Sequence, residues 1–212
     1  MAEETEKPAG GAAEAPKAAP AAKPKGPEAK DASDHPLVKS ILSAEPGCIV
    51  SAKEFAGEIT VEIFADRIVA VCRHLKEKEG FNYLVELFGA DYLNWKGWAA
   101  ERFAVIYVLY SFSKNDRIRL RLGVPDATAV ASVTGVWRAA NWPEREVWDL
   151  YGIPFSGHPN LERILTWEGF NGHPLRKDFP VEGIDTGAAI YPEVWPEGGG
   201  PPEKDPNRKV VS

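Results

Sequence analysis

Cysteine is scarce in this chain: Cys48 and Cys72 are its two, and they stand in no CxxC arrangement. An iron–sulfur cluster draws a full set of thiolates from its protein, so these residues do not spell a cluster site. Each is read instead as a small buried apolar residue. Long apolar runs are also missing. The best one, Phe103 to Tyr110, falls far short of the roughly 20 residues that cross a bilayer, and the N-terminus lacks the apolar stretch of a signal peptide. Positive charge is not in excess: the net charge is −6 over 212 residues. That excludes the basic stripe by which nucleic-acid binders release counterions from phosphates. The first 34 residues contain no Ile, Leu, Val, Phe, Tyr or Trp and alternate Ala, Pro, Lys and Glu. Such a stretch cannot offset its ordering entropy by burial, so residues 1–34 are read as a disordered leader. Its mixed charge is unlike a polybasic membrane anchor.

What remains is one domain of about 145 residues. A short helix is expected over Leu37 to Leu42, after Pro36. Ile59, Val61 and Ile63 alternate with Thr60 and Glu62, the pattern of a strand with one buried face. Asp66 stands where an N-cap belongs. Ile68, Val71, Cys72 and Leu75 then form one helical stripe, closed by Gly80. Phe81 to Phe88 reads as a second strand. Phe103 to Phe112 reads as a third, apolar enough for burial on both faces. The polar turn Ser113 to Asp116 leads into the strict alternation Arg117 to Leu122, so the last two strands pair as a hairpin. The fold class is α+β, with a mixed or antiparallel sheet and helices on one face. Residues 35–126 make the α+β domain, 127–180 a segment of helix and loop, and 181–212 an extended tail.

Within 127–180, Val133, Val136 and Trp137 suggest a helical stripe, and Asn141-Trp142-Pro143-Glu144-Arg145-Glu146 opens a second short helix. Arg145 and Asp149 are spaced to pair on one helix face. That is either a solvated ion pair worth less than about 1 kcal/mol or part of a charged surface that fits a partner. The two Gly-His-Pro units put His158 and His173 15 residues apart with no cysteine near, which is not metal-ligand spacing. No GxGxxG, GxxxxGK[ST] or GxSxG motif is present. The Pro- and Gly-rich tail has few anchors, namely Ile184, Ile190, Tyr191, Val194 and Trp195.

The run Asn141-Trp142-Pro143-Glu144-Arg145-Glu146-Val147-Trp148-Asp149-Leu150-Tyr151-Gly152-Ile153, followed by Phe155, Gly157-His158-Pro159, Leu161 and Arg163-Ile164-Leu165, resembles the signature of the 30 kDa subunit family of respiratory complex I. Gly172-His173-Pro174-Leu175-Arg176-Lys177-Asp178-Phe179-Pro180 is similar to that family's second hallmark. Asn160, Glu162 and Trp167 depart from the usual pattern.

The resemblance implies a structural subunit in the peripheral arm of a proton-translocating NADH:quinone oxidoreductase. Such a subunit binds no cofactor itself, while the complex as a whole carries FMN, iron–sulfur clusters and quinone. Its implied neighbours are the quinone-site subunit (D) and the iron–sulfur subunits (B and I), at the cytoplasmic side of the inner membrane. Related subunits occur in membrane-bound hydrogenases, formate hydrogenlyase-type complexes and deazaflavin-dependent dehydrogenases. The signature residues expected at the partner interface are Trp142, Glu144, Arg145, Glu146, Asp149, His158, Arg163, His173, Arg176, Lys177 and Asp178. Arg145, Arg163 and Arg176 are the expected partner-gripping charges, and Trp142, Trp148 and Trp195 the docking or core anchors. Two readings of other classes stand beside this one. A freestanding enzyme would use Glu146, Asp149 and His158 as acid–base groups, and a freestanding adaptor would be stable without redox partners.

Overall fold

A computed structural model describes residues 28–95 and 101–183. The elements are β1 (Lys30–Asp31), α1 (Pro36–Ala44), β2 (Ile49–Phe55), β3 (Glu58–Ile63), α2 (Ile68–Glu77), β4 (Tyr83–Asp91), β5 (Phe103–Ser111), β6 (Asp116–Val124), β7 (Val130–Ala131), α3 (Asn141–Tyr151) and β8 (Phe155–Ser156). Six strands form one mixed sheet in the order β1-β2-β3-β6-β5-β4. Its strands pair antiparallel except at the centre, where β3 runs parallel to β6. The fold is the expected α+β arrangement.

Alternation decides which face is buried. Ile59, Val61 and Ile63 of β3 and Ile118, Leu120 and Leu122 of β6 point into one core with Val105, Tyr107 and Leu109 of β5. Helix α2 lays Ile68, Val71, Cys72 and Leu75 on that face, as the stripe predicts, and α1 adds Leu37, Val38 and Ile41. The opposite face of β5, Ala104, Ile106 and Val108, is also buried and forms a small cluster with Ala90 and Tyr92. Both cysteines are free and buried. Burial pushes the Cys72 thiol well above its usual range, so it packs as an inert residue.

Several boundaries differ from expectation. The expected leader boundary at residue 34 falls inside the fold, because Lys30 and Asp31 pair with Glu54 and Lys53 of β2 and Ala32 is buried. Backbone pairing needs no large side chain, so apolar content misses it. Strand β2 is not among the expected elements, because Ala52 is its one fully buried residue. Asp66 lies inside a 3-10 turn, Ala65–Arg67, and pairs with Arg67 at 3.2 Å rather than capping α2. His35 does cap α1, its Nδ1 accepting the Leu37 N–H at 3.2 Å. His74, Ser40 and Glu79 link α2 to α1. Strand β4 begins at Tyr83, later than expected, because the Phe81 N–H still bonds back to the Leu75 carbonyl.

The helix expected through Val133, Val136 and Trp137 is absent. All three are buried, but they occupy a turn in which the N–H groups of Val136 and Trp137 both reach the Val133 carbonyl. Residues 127–180 share the main core through Val130, Val133, Trp137, Ala140, Val147, Ile153 and Phe155. Ile184, Ile190, Tyr191, Val194 and Trp195 lie outside the described residues.

Candidate functional site

The signature segment hangs on α3, which packs against the edge strand β4. The helix runs from Asn141, with Pro143 within its first turn, and ends where Gly152 takes the left-handed conformation at φ 76°. Glu144, expected on the surface near the helix N-terminus, is fully buried. Its carboxylate accepts the Val133 N–H at 2.7 Å and the Ser132 hydroxyl at 2.6 Å. This contact holds residues 132–134 in a turn and explains why no helix forms there. Burial pushes the Glu144 carboxyl up to about 7, against the pull of its bonds from Ser132 and Val133.

Asp149 is the hub of the segment. It is fully buried and pairs with Arg163 at 2.7 Å. One of its oxygens accepts the N–H groups of Ile164, Leu165 and Thr166 at 3.1, 2.8 and 2.9 Å, and the other accepts the Thr166 hydroxyl. Burial alone would raise this carboxyl. The bonds from Thr166, Leu165 and Arg163 outweigh it and hold the group well below the ordinary carboxylate range. Arg163 also donates to the carbonyls of Phe170 and Gly172 at 3.0 and 3.2 Å. Its guanidinium lies between the rings of Trp148 and Phe170, 5.7 and 5.8 Å from their centroids.

The expected Arg145–Asp149 pair does not form. Arg145 donates instead to the carbonyls of Glu162 and Arg163 at 2.9 and 3.0 Å. A solvated pair along one helix is worth a few tenths of a kcal/mol, whereas loop 162–166 supplies Asp149 with several donors. The two histidines serve backbone as well. His158 accepts the Asn160 N–H at Nδ1 and donates from Nε2 to the Asn141 carbonyl at 3.1 Å. His173 donates from Nδ1 to the Asp149 carbonyl at 2.8 Å, its ring lying flush on Gly152. A Cβ on Gly152 would sit 2.6 Å from the His173 ring, and φ there is positive. Gly152→Ala is therefore expected to destabilise the chain by about 2 kcal/mol or more, read as a shift of the urea midpoint. Among the described residues no group of three or more His, Cys, Asp or Glu side chains is placed to hold a metal ion.

A second cluster clasps the end of the segment. Arg176 bonds Asp126 at 2.7 Å, Asp178 at 3.4 Å and the Tyr151 carbonyl at 3.3 Å. Arg102, immediately before β5, bonds Asp91 at 3.1 Å, Asp126 at 2.9 Å and Asp178 at 2.7 Å. Asp91 also accepts the Lys177 N–H at 2.9 Å. Both guanidinium groups sit over the Phe103 ring, at 4.7 and 5.0 Å. Arg102→Ala would strand the buried Asp91 carboxylate, at an expected cost of about 2 kcal/mol in a denaturation titration. Lys177→Ala, which removes an exposed side chain and leaves that backbone bond, should change little.

Arg145, Arg163 and Arg176, expected as partner-gripping charges, each bond groups of this chain. Arg102, Asp91 and Asp126 complete the clasp and are not among the residues the sequence singles out. They carry no motif and lie far from residues 176–178 along the chain. Trp148 packs against the core, and Trp195 lies outside the described residues. Trp142 is 69% exposed and Leu165 is 63% exposed. They line a groove of about 780 Å³ together with Arg138, Ala139, Pro143, Glu146 and Ile164.

Residues 61–185, more than half of the chain, match the family described as respiratory-chain NADH dehydrogenase, 30 Kd subunit. The chain is 46% identical over 138 residues to the C subunit of NADH-quinone oxidoreductase from Geobacter sulfurreducens, covering 65% of this chain and 83% of that one. It is 45% identical over 150 residues to the protein of the same name from Azorhizobium caulinodans, covering 70% and 69%. Among solved structures, a chain of the membrane-bound sulfane sulfur reductase, an archaeal respiratory membrane complex, shares the fold with a TM-score of 0.57 at 23% identity, covering 68% of this chain and 84% of that one.

Proposed function

The chain belongs to the 30 kDa subunit family of respiratory-chain NADH dehydrogenase, and from that premise we propose that it is a cofactor-free structural subunit bridging the quinone-site subunit and the iron–sulfur subunits. The observation that carries this reading is how the signature is used. Asp149, Arg163, His158, His173, Arg176 and Asp178 all bond groups of this chain, and of the two tryptophans on α3, Trp148 packs on the core while Trp142 is exposed. Acid–base groups poised for turnover need access to a substrate, whereas Asp149 is closed in by donors on both oxygens. The arrangement builds a rigid ledge from loops that have little regular structure of their own.

Rigidity is the physical contribution such a subunit makes. Electron tunnelling weakens steeply with distance, so redox centres in different subunits need fixed relative positions. A subunit that spans two carriers fixes them through a large interface with an apolar centre. No helix among the described residues is long and apolar enough to cross a membrane; in the proposed assembly the other subunits hold this chain at the cytoplasmic side.

The test is affinity purification of the tagged full chain from native membranes, with subunit identification and an NADH:quinone assay on the eluate. Recovery with flavin, iron–sulfur and quinone-site subunits, together with activity, is the expected result. Recovery with a nickel-bearing hydrogenase subunit, or recovery of the chain alone, would overturn it.

A further inference from the structure

We propose that Glu144 is a proton-operated latch: protonated, it clasps the turn at residues 132–137 against α3, and on losing its proton it releases that turn while the six-stranded sheet stays folded. The inference concerns this chain's own residues and holds whichever partners the chain has. Glu144 is fully buried, and among the described residues it bonds the Val133 N–H and the Ser132 hydroxyl, both in the turn, and no cation. The groups that face it from elsewhere are the Cys72 thiol on α2 and the Tyr107 hydroxyl on β5, both fully buried. Lys76, the cation of α2 that reaches the turn, is bonded to the Val136 carbonyl. A carboxylate in this place would exchange its hydration for two hydrogen bonds and no counter-charge. The neutral acid is therefore the form that fits the closed turn.

Two further features make this turn the part that gives. It is lightly tethered: the Val136 and Trp137 N–H groups bond within it, to the Val133 carbonyl. Its bonds to the rest of the fold are the Ser132 N–H on the Ser156 carbonyl, the Ala140 N–H on the Trp137 carbonyl, Lys76 on Val136, and Glu144 itself. None of them is part of the main sheet's ladder. The closed turn also carries polar groups that nothing satisfies. The Tyr107 hydroxyl and the Trp137 indole N–H are both buried with no hydrogen-bond partner among the described residues. Each costs the closed state stability that water returns on opening. Burial of Val133, Val136 and Trp137 keeps the turn shut while Glu144 is neutral. Burial pushes the closed-state carboxyl up to about 7, whereas a hydrated one has the ordinary value of 4.5. The closed turn thus holds a proton that the open turn releases, and opening becomes easier as pH rises between those values. From pH 6 to pH 8 the opening equilibrium grows about tenfold.

Amide hydrogen exchange on the full chain tests this, with the Val133 amide reporting the latch and the Leu120 amide, inside β6, reporting global unfolding. The Val133 protection factor should fall about tenfold between pH 6 and pH 8 and should lie well below that of Leu120. It should not respond to low concentrations of urea, since a local opening exposes little surface. Glu144→Gln should keep it constant across the interval. A Val133 protection factor independent of pH in wild type would overturn the proposal, as would an equal fall in Glu144→Gln. So would a urea dependence as steep as that of Leu120, which would mean that the turn opens only with the whole fold. The pH and urea series on wild type decide the matter even if the variant does not fold.

Discussion

Asp149→Ala is expected to cost about 3–5 kcal/mol, the range seen when one partner of a buried ion pair is removed. The loss has three parts. Arg163 keeps its charge in a site where it is only 15% exposed. The N–H groups of Ile164, Leu165 and Thr166 lose their acceptor. The loop they belong to has no sheet or helix to fall back on. Against a typical domain stability of about 5–15 kcal/mol, this single change leaves a marginal protein, and a urea titration measures it directly.

Asp149→Asn should fall between wild type and alanine, since it keeps an acceptor oxygen and loses the charge. The two substitutions also make a pH prediction. The folded-state carboxyl lies below its unfolded value, so the stabilisation is complete above the ordinary aspartate pKa of about 4. It fades as pH falls toward the folded value. Wild type should therefore lose part of its advantage over Asp149→Asn below about pH 4.

Glu144→Gln should have the opposite sign. The folded-state carboxyl is raised to about 7 from an ordinary value of 4.5, so between those values the folded protein binds more protons than the unfolded chain. Stability then falls as pH rises through this window, by about 3 kcal/mol at pH 8. Glutamine reproduces the protonated acid: its oxygen accepts the Val133 N–H, and its amide donates to Ser132. The variant should be more stable than wild type at pH 8, roughly equal at pH 4.5, and flatter across the interval. Equal pH dependence in the two proteins would show that Glu144 is charged in the fold and satisfied by Ser132 and Val133 alone.

These two carboxylates also mark the limit of what the sequence discloses. Helical and strand periodicities report burial of apolar side chains, so the α2 stripe from Ile68 to Leu75 and the β5–β6 hairpin are legible. Strand β2 is not, since one buried alanine makes no pattern. Its hairpin turn also hides its signal: Ala56 and Gly57 both take positive φ, at 51° and 82°, in a role commonly filled by Asn-Gly. Glu144 and Asp149 sit on one amphipathic-looking helix, where local rules place charges outward. Their burial is set by Ser132, Val133 and loop 162–166, which fold back from other parts of the chain. The motif around α3 is recognisable as a family signature. Its spacing points to Arg145 as the partner of Asp149, and only three-dimensional placement reveals Arg163. Likewise Arg102 meets Asp178 across 76 residues of chain, a distance over which no local pattern operates.

If the signature residues build structure rather than perform chemistry, Arg145→Ala is the substitution that shows it most directly. Arg145 is in the heart of the signature, yet it contributes two bonds to loop carbonyls, so its loss should weaken the ledge and leave the fold standing. The measurement is the amount of assembled complex in native membranes alongside NADH:quinone turnover per assembled complex. A structural role predicts less complex with unchanged turnover in each one. A normal amount of complex with quinone reduction abolished would contradict it.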